Sequence, residues 1–171
     1  SAASAEISRR IHINGGLALL IDYGGWQSKG DTFQALVDHA YADPLISPGD
    51  ADLTAPVEFE PLVREALNAG IEASGMTEQG VFLERLGITG RAQALAQNMN
   101  SITRDNHIAA HRRLTHPEEM GRLWKVMARE QSGATPPAGL NQGTGKYHRR
   151  QLGTVQPRLF HPQGRRVFGC V

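Results

Sequence analysis

The chain has 171 residues, of which 40% are hydrophobic and 20% charged, a composition that fits one globular domain with one ordinary core. Its longest apolar run, residues 17–21, falls far short of the roughly 20 residues that cross a bilayer, so no membrane-spanning helix is expected. Ser1-Ala2-Ala3-Ser4-Ala5-Glu6 lacks the basic-then-apolar order of a secretory signal, and the single cysteine, Cys170, excludes an internal disulfide or a cysteine-based zinc cluster.

In chain order, residues 5–13 read as the end of a helix broken by Asn14-Gly15-Gly16. Residues 17–21 then read as a short apolar strand that ends in Asp22-Tyr23-Gly24-Gly25. Residues 31–39 are expected to form a short helix. Residues 43–57 read as a long ordered loop, because Pro44, Pro48, Gly49 and Pro56 interrupt both periodicities. Between 59 and 68, Phe59, Leu62, Val63, Ala66 and Leu67 fall on one helical face, with Gly70 just past the end.

Residues 71–74 are expected as a strand and 79–86, 90–98 and 101–114 as helices, a region closed by Pro117 and Gly121. Residues 123–128 alternate as the last strand of the sheet. Strand 17–21, helix 59–68 and strand 71–74 make a βαβ unit, to which strand 123–128 returns after the helices. So short a sheet leaves edges unpaired, so further strands are expected from upstream or from a partner.

Charge is distributed unevenly. Residues 1–140 hold 12 Lys/Arg against 17 Asp/Glu, whereas residues 141–171 hold six basic residues and no acid. The change follows Gly133-Ala134-Thr135-Pro136-Pro137-Ala138-Gly139, too rich in Pro and Gly to continue a helix or strand. The expected organisation is therefore a domain over 1–140 and a poorly ordered basic tail over 141–171.

A family resemblance runs through this order. Gly15-Gly16-Leu17-Ala18-Leu19-Leu20-Ile21-Asp22-Tyr23-Gly24, Asp31-Thr32-Phe33-Gln34-Ala35, His39, Asp43-Pro44-Leu45, Pro48-Gly49 and Ala51-Asp52-Leu53-Thr54 open the match. Val57-Glu58-Phe59, Thr77-Glu78-Gln79-Gly80, Phe82-Leu83, Leu86-Gly87-Ile88, Arg113-Leu114-Thr115 and residues 119–126 continue it. These residues resemble the MidA family of methyltransferases over roughly residues 10 to 140. Pro56 stands where relatives commonly carry His, Glu58 where they carry Asp, and Trp124 where Phe is usual. The glycine-rich turn and acidic segment of the family's N-terminal region have no counterpart in the chain.

The resemblance implies an α/β fold: part of a class I methyltransferase (Rossmann-like) sheet, its C-terminal half, with a loop insertion after the first strand and a helical insertion before the last. It implies S-adenosylmethionine as cofactor and a protein arginine as acceptor, as in mitochondrial relatives that act on a complex I subunit during assembly. The compartment would be the cytoplasm in a bacterium and the mitochondrial matrix in a eukaryote. The glycines do not replace the missing cofactor turn. Gly15-Gly16 precede a strand, and Gly143-Thr144-Gly145-Lys146 lacks phosphate-loop spacing, so both read as turns.

Asp22 and Tyr23, placed just past a strand's carboxyl end where such folds hold ligands, are the catalytic candidates. The alternative is that Asp22 caps a turn and Tyr23 packs its ring. His39, Asp43 and Asp52 of the loop insertion are substrate-binding candidates, against a role in folding the loop. Gln79 and Phe82 are candidates for a pocket wall, against helix initiation and packing. His107 and His111 share a helical face, yet with no convincing third ligand they read as a solvated face rather than a metal site. The basic tail, with Tyr147-His148-Arg149-Arg150 and Arg165-Arg166, invites nonspecific phosphate binding, against a disordered extension. Three functions are thus open: a methyltransferase that needs the missing half, a non-catalytic protein-binding remnant, and a nucleic-acid binder.

Overall fold

A computed structural model describes residues 1–140, except 29, 31, 39, 47 and 48, together with residues 146–147. Helix α1 (Ala2–Asn14) ends at the expected Gly15. Strand β1 (Leu17–Gly25) starts where the apolar run starts but continues through Asp22-Tyr23-Gly24-Gly25, so that segment is strand and not the strand's exit.

The helix expected over 31–39 is replaced by strand β2 (Gln34–Val37), followed by β3 (Ala40–Ala42). The hairpin between them turns at Asp38, whose φ of 49° is a left-handed conformation that aspartate tolerates better than most residues. A four-residue run is too short for its periodicity to choose between helix and strand, and pairing with neighbours makes the choice. Residues 43–57 are likewise not one loop, since they contain β4 (Asp52–Thr54) and begin β5 (Val57–Glu58).

Helix α2 (Phe59–Asn68) matches its sequence pattern and buries Phe59, Val63, Ala66 and Leu67. Strand β6 (Glu72–Ser74) is followed by a two-residue strand, β7 (Thr77–Glu78), that was not expected. Helices α3 (Gln79–Arg85), α4 (Ile88–Ala96) and α5 (Ser101–Thr115) follow the predicted order. A short α6 (Met120–Leu123) leads into β8 (Trp124–Glu130). Strand β8 is not the last, because β9 (Lys146–Tyr147) also joins the sheet. Two residues expected in the tail thus belong to the folded unit.

The larger sheet has the order β5-β1-β8-β6-β9, with β7 also on β8, and β2–β4 form a separate sheet of order β3-β2-β4. Strands β1 and β6 do run in one direction, but β8 lies between them and is antiparallel to both. Seven consecutive ladder pairs, from Leu17↔Glu130 to Tyr23↔Trp124, join β1 to β8. At Gly24 a side chain would collide with the backbone of Val57, so glycine is what lets β5 close on β1.

Alternation along β8 divides the core. Met127 faces Ile11, Phe59, Val63, Ala66 and Leu67 of the two helices α1 and α2, while Val126 and Ala128 meet Phe82 and Leu140 on the other side. Each large side chain fully buried here contributes about 1.5–3 kcal/mol. Arg129 lies on the α1–α2 side with no exposure. Its guanidinium donates to the Ser4 carbonyl and Ser8 hydroxyl, both at 3.0 Å, and to the Leu62 carbonyl at 2.7 Å, tying both helices to β8.

Candidate functional site

Toward the carboxyl end of β1 three charged residues stand side by side across the sheet. Asp22 is directly opposite Lys125, and Lys125 is directly opposite Glu78. Opposed residues on neighbouring strands share a face, so the row occupies the same side as Met127 and Arg129. The Lys125 side chain is only 15% exposed; its ammonium lies 3.9 Å from the Glu78 carboxylate and donates to the Arg122 carbonyl. The Arg122 guanidinium sits 3.4 Å from the same carboxylate. Beside the row lies a shallow, open cleft of about 430 Å³ lined by Gly24, Pro117, Glu118, Glu119, Arg122, Leu123 and Lys125.

Local sequence explains the cleft's walls. Pro117 follows the end of α5, and the chain doubles back so tightly that a side chain at Gly121 would meet the Thr115 and His116 carbonyls. That turn carries Glu118 and Glu119 to the rim. Glu119 is held by Arg112 at 3.0 Å, whereas the Glu118 side chain is 81% exposed.

The two catalytic candidates separate. Both lie inside β1 rather than past its end, and successive strand residues face opposite sides. Asp22 shares the face of the cleft residue Lys125, and its Oδ1 accepts the Tyr23 N–H at 2.8 Å. The Tyr23 ring instead lies edge-on to Trp124, with ring centres 5.8 Å apart.

The remaining candidates do not converge on the cleft. Asp43 accepts the Leu45 N–H at 2.8 Å and shapes its own turn. Asp52 is exposed on β4, and His39 lies outside the described residues. Gln79 is buried and donates to the Leu114 carbonyl at 2.9 Å, fastening α3 to α5. Phe82 is buried against Val126, Ala128 and Leu140. His107 and His111 share a side, as their spacing predicts, but that side meets α4 instead of solvent. His107 Nε2 is 3.1 Å from the Ala92 carbonyl, and His111 Nε2 is 3.0 Å from Thr89 Oγ1. Apart from Lys146-Tyr147, the basic tail lies outside the described residues, as do Gly143, Thr144 and Gly145.

Sequence reasoning passed over Glu78, Arg122 and Lys125. Both of their segments carry the family resemblance, yet only the antiparallel register of β8 reveals that 22, 125 and 78 form one row.

Comparison with known proteins agrees with this fold. Residues 2–78 match the family described as S-adenosyl-L-methionine-dependent methyltransferase. The mitochondrial protein arginine methyltransferase NDUFAF7 homolog of Drosophila melanogaster is 39% identical over 129 residues, 71% of this chain. Human NDUFAF7, also named a mitochondrial protein arginine methyltransferase, is 38% identical over 124 residues, 72% of this chain. The chain spans 28% of the length of either relative. A Burkholderia thailandensis crystal structure bound to S-adenosyl-homocysteine superposes with a TM-score of 0.66 at 26% identity, covering 84% of this chain and 39% of that one. Family match, relatives and shared fold overlap on this chain, which is similar over that stretch to S-adenosylmethionine-dependent methyltransferases.

Proposed function

We propose that this chain forms the acceptor side of a methyltransferase that modifies arginine on a protein. The observation that carries the reading is the Asp22–Lys125–Glu78 row beside the cleft, near the carboxyl end of β1. In open α/β sheets, ligands bind beyond the carboxyl ends of the strands. Carboxylates there hold a cationic guanidinium through charge-assisted hydrogen bonds, as Glu78 already holds that of Arg122. Two strand spacings put Asp22 and Glu78 roughly 10 Å apart, so they would grip different parts of an acceptor segment.

S-adenosylmethionine is the family's cofactor and supplies an already activated methyl group, which leaves the protein mainly the task of positioning. Gly24, Gly80 and Gly121 do not cradle it. Where Gly24, Gly80 and Gly121 leave room for a close approach, the space is filled by this chain's own backbone, at Val57 and Thr115. Cofactor binding is therefore assigned to parts of the fold that the longer relatives possess. Strand β1 supports that assignment. Among the described residues its edge opposite β8 pairs only at Gly24 and Gly25, and Leu17, Leu19 and Ile21 form a row 42–45% exposed. An apolar edge of this kind ordinarily takes another strand. A mitochondrial setting in respiratory-complex assembly belongs to the same proposal, for a eukaryotic source.

The test is Asp22→Asn within an active longer protein. Asparagine still accepts the Tyr23 N–H but lacks the charge, so methyl transfer should fall roughly ten- to hundredfold, the equivalent of about 1.5–3 kcal/mol, at unchanged melting temperature. Unchanged transfer at both saturating and limiting acceptor would overturn the assignment.

A further inference from the structure

Between Lys29 and Arg64 the sequence holds seven carboxylates and no lysine or arginine. The small sheet β2–β4 occupies this stretch. Tyr41, Leu45 and Ile46 are here, 78–80% exposed, the three most exposed large hydrophobic residues described. Register gives the face a pattern: Leu36 pairs with Tyr41 on one side and with Asp52 on the other, so the three lie in one row on one face of the sheet. Asp38, Asp50 and Asp52 are exposed around it, and among the described ion pairs none involves them.

An aromatic ring in line with a carboxylate, in a stretch that holds seven acids and no lysine or arginine, attracts cations. A guanidinium stacks on a tyrosine face and pairs with a carboxylate, whereas phosphates would meet only repulsion. We propose that this face docks a basic segment of the acceptor polypeptide, with arginine or lysine side chains on Tyr41 and Asp52 and apolar neighbours against Leu45 and Ile46. The inference rests on the reading that the acceptor is a protein and adds where that protein is held. Docking apart from the reacting arginine makes recognition depend on the charge of the flanking sequence.

The test uses the full chain with a labelled peptide of alternating arginine and serine, read by fluorescence anisotropy without methyl donor. Binding should weaken as salt rises. Tyr41→Ala and Asp52→Asn should each weaken it by about three- to fivefold, Tyr41→Phe should retain it, and a peptide with glutamine in place of arginine should not bind. Both positions are exposed, so each variant should keep the parent melting temperature. Equal affinity of parent, Tyr41→Ala and Asp52→Asn would overturn the proposal, as would equal affinity for the glutamine peptide. Binding that appears only after Arg149, Arg150, Arg165 and Arg166 are changed to glutamine would overturn it too, by placing the chain's own basic segment on this face. A protein that binds the peptide through these residues but never methylates contradicts the proposed activity and leaves the docking face standing.

Discussion

Arg129 offers the sharpest test of how the fold is held together. Replacing it with methionine keeps an apolar stem of similar length in a fully buried position but removes the donors to the Ser4 carbonyl, Ser8 hydroxyl and Leu62 carbonyl. Each hydrogen bond lost from the charged guanidinium costs roughly 1.5–3 kcal/mol, and relaxation returns part of the total. A net loss of about 3–5 kcal/mol is expected, as for other broken buried charge networks. With a urea slope of about 1–3 kcal/mol/M for a small protein, the unfolding midpoint should fall by about 2 M. Arg129→Lys should rescue little of this, because one ammonium cannot span acceptors on two helices as the planar guanidinium does. A midpoint shift below about 0.5 M for Arg129→Met would refute the claim that this residue ties α1 and α2 to β8.

Other consequences follow from the same contacts. Burial raises the Glu65 carboxyl, but the Ser4 side chain, the chain's amino group and Arg129 more than offset it and hold the group below its ordinary value of 4.5. A lowered folded value means its stabilisation is present above 4.5 and is lost as pH falls through the folded value. Urea midpoints measured from neutral pH downward should therefore drop below that point, by less in Glu65→Gln. Phe82→Ala should cost about 3–5 kcal/mol in denaturant unfolding while acceptor KM in an active protein stays constant; a KM effect without destabilisation would return Phe82 to the pocket wall. The chain alone should bind S-adenosylmethionine weakly or not at all, since Gly24, Gly80 and Gly121 are closed by its own backbone at Val57 and Thr115. Micromolar affinity by calorimetry would contradict this.

What the sequence reveals and conceals follows from the length of the elements. Helix α2 announces itself because ten residues carry a complete apolar face ended by Gly70. Strands of two to four residues show no period. Strands β2, β3, β4, β5 and β7 are stable only through pairing with other strands, as Leu36 is through Tyr41 and Asp52. The site divides in the same way. Asp22 is conspicuous at the end of an apolar run, yet its neighbours in space, Lys125 and Glu78, are set by the long return of β8 between β1 and β6. Tyr23 and Phe82 show the converse: adjacency to a motif drew attention to side chains that pack against Trp124 and Val126.

The most direct measurement of the central claim is mass spectrometry of acceptor proteins after incubation of an active longer protein containing this chain with isotopically labelled S-adenosylmethionine. The account predicts label on arginine side chains of a protein, reduced at least about tenfold by Asp22→Asn. Label confined to other residue types, or to nucleic acid, would contradict it.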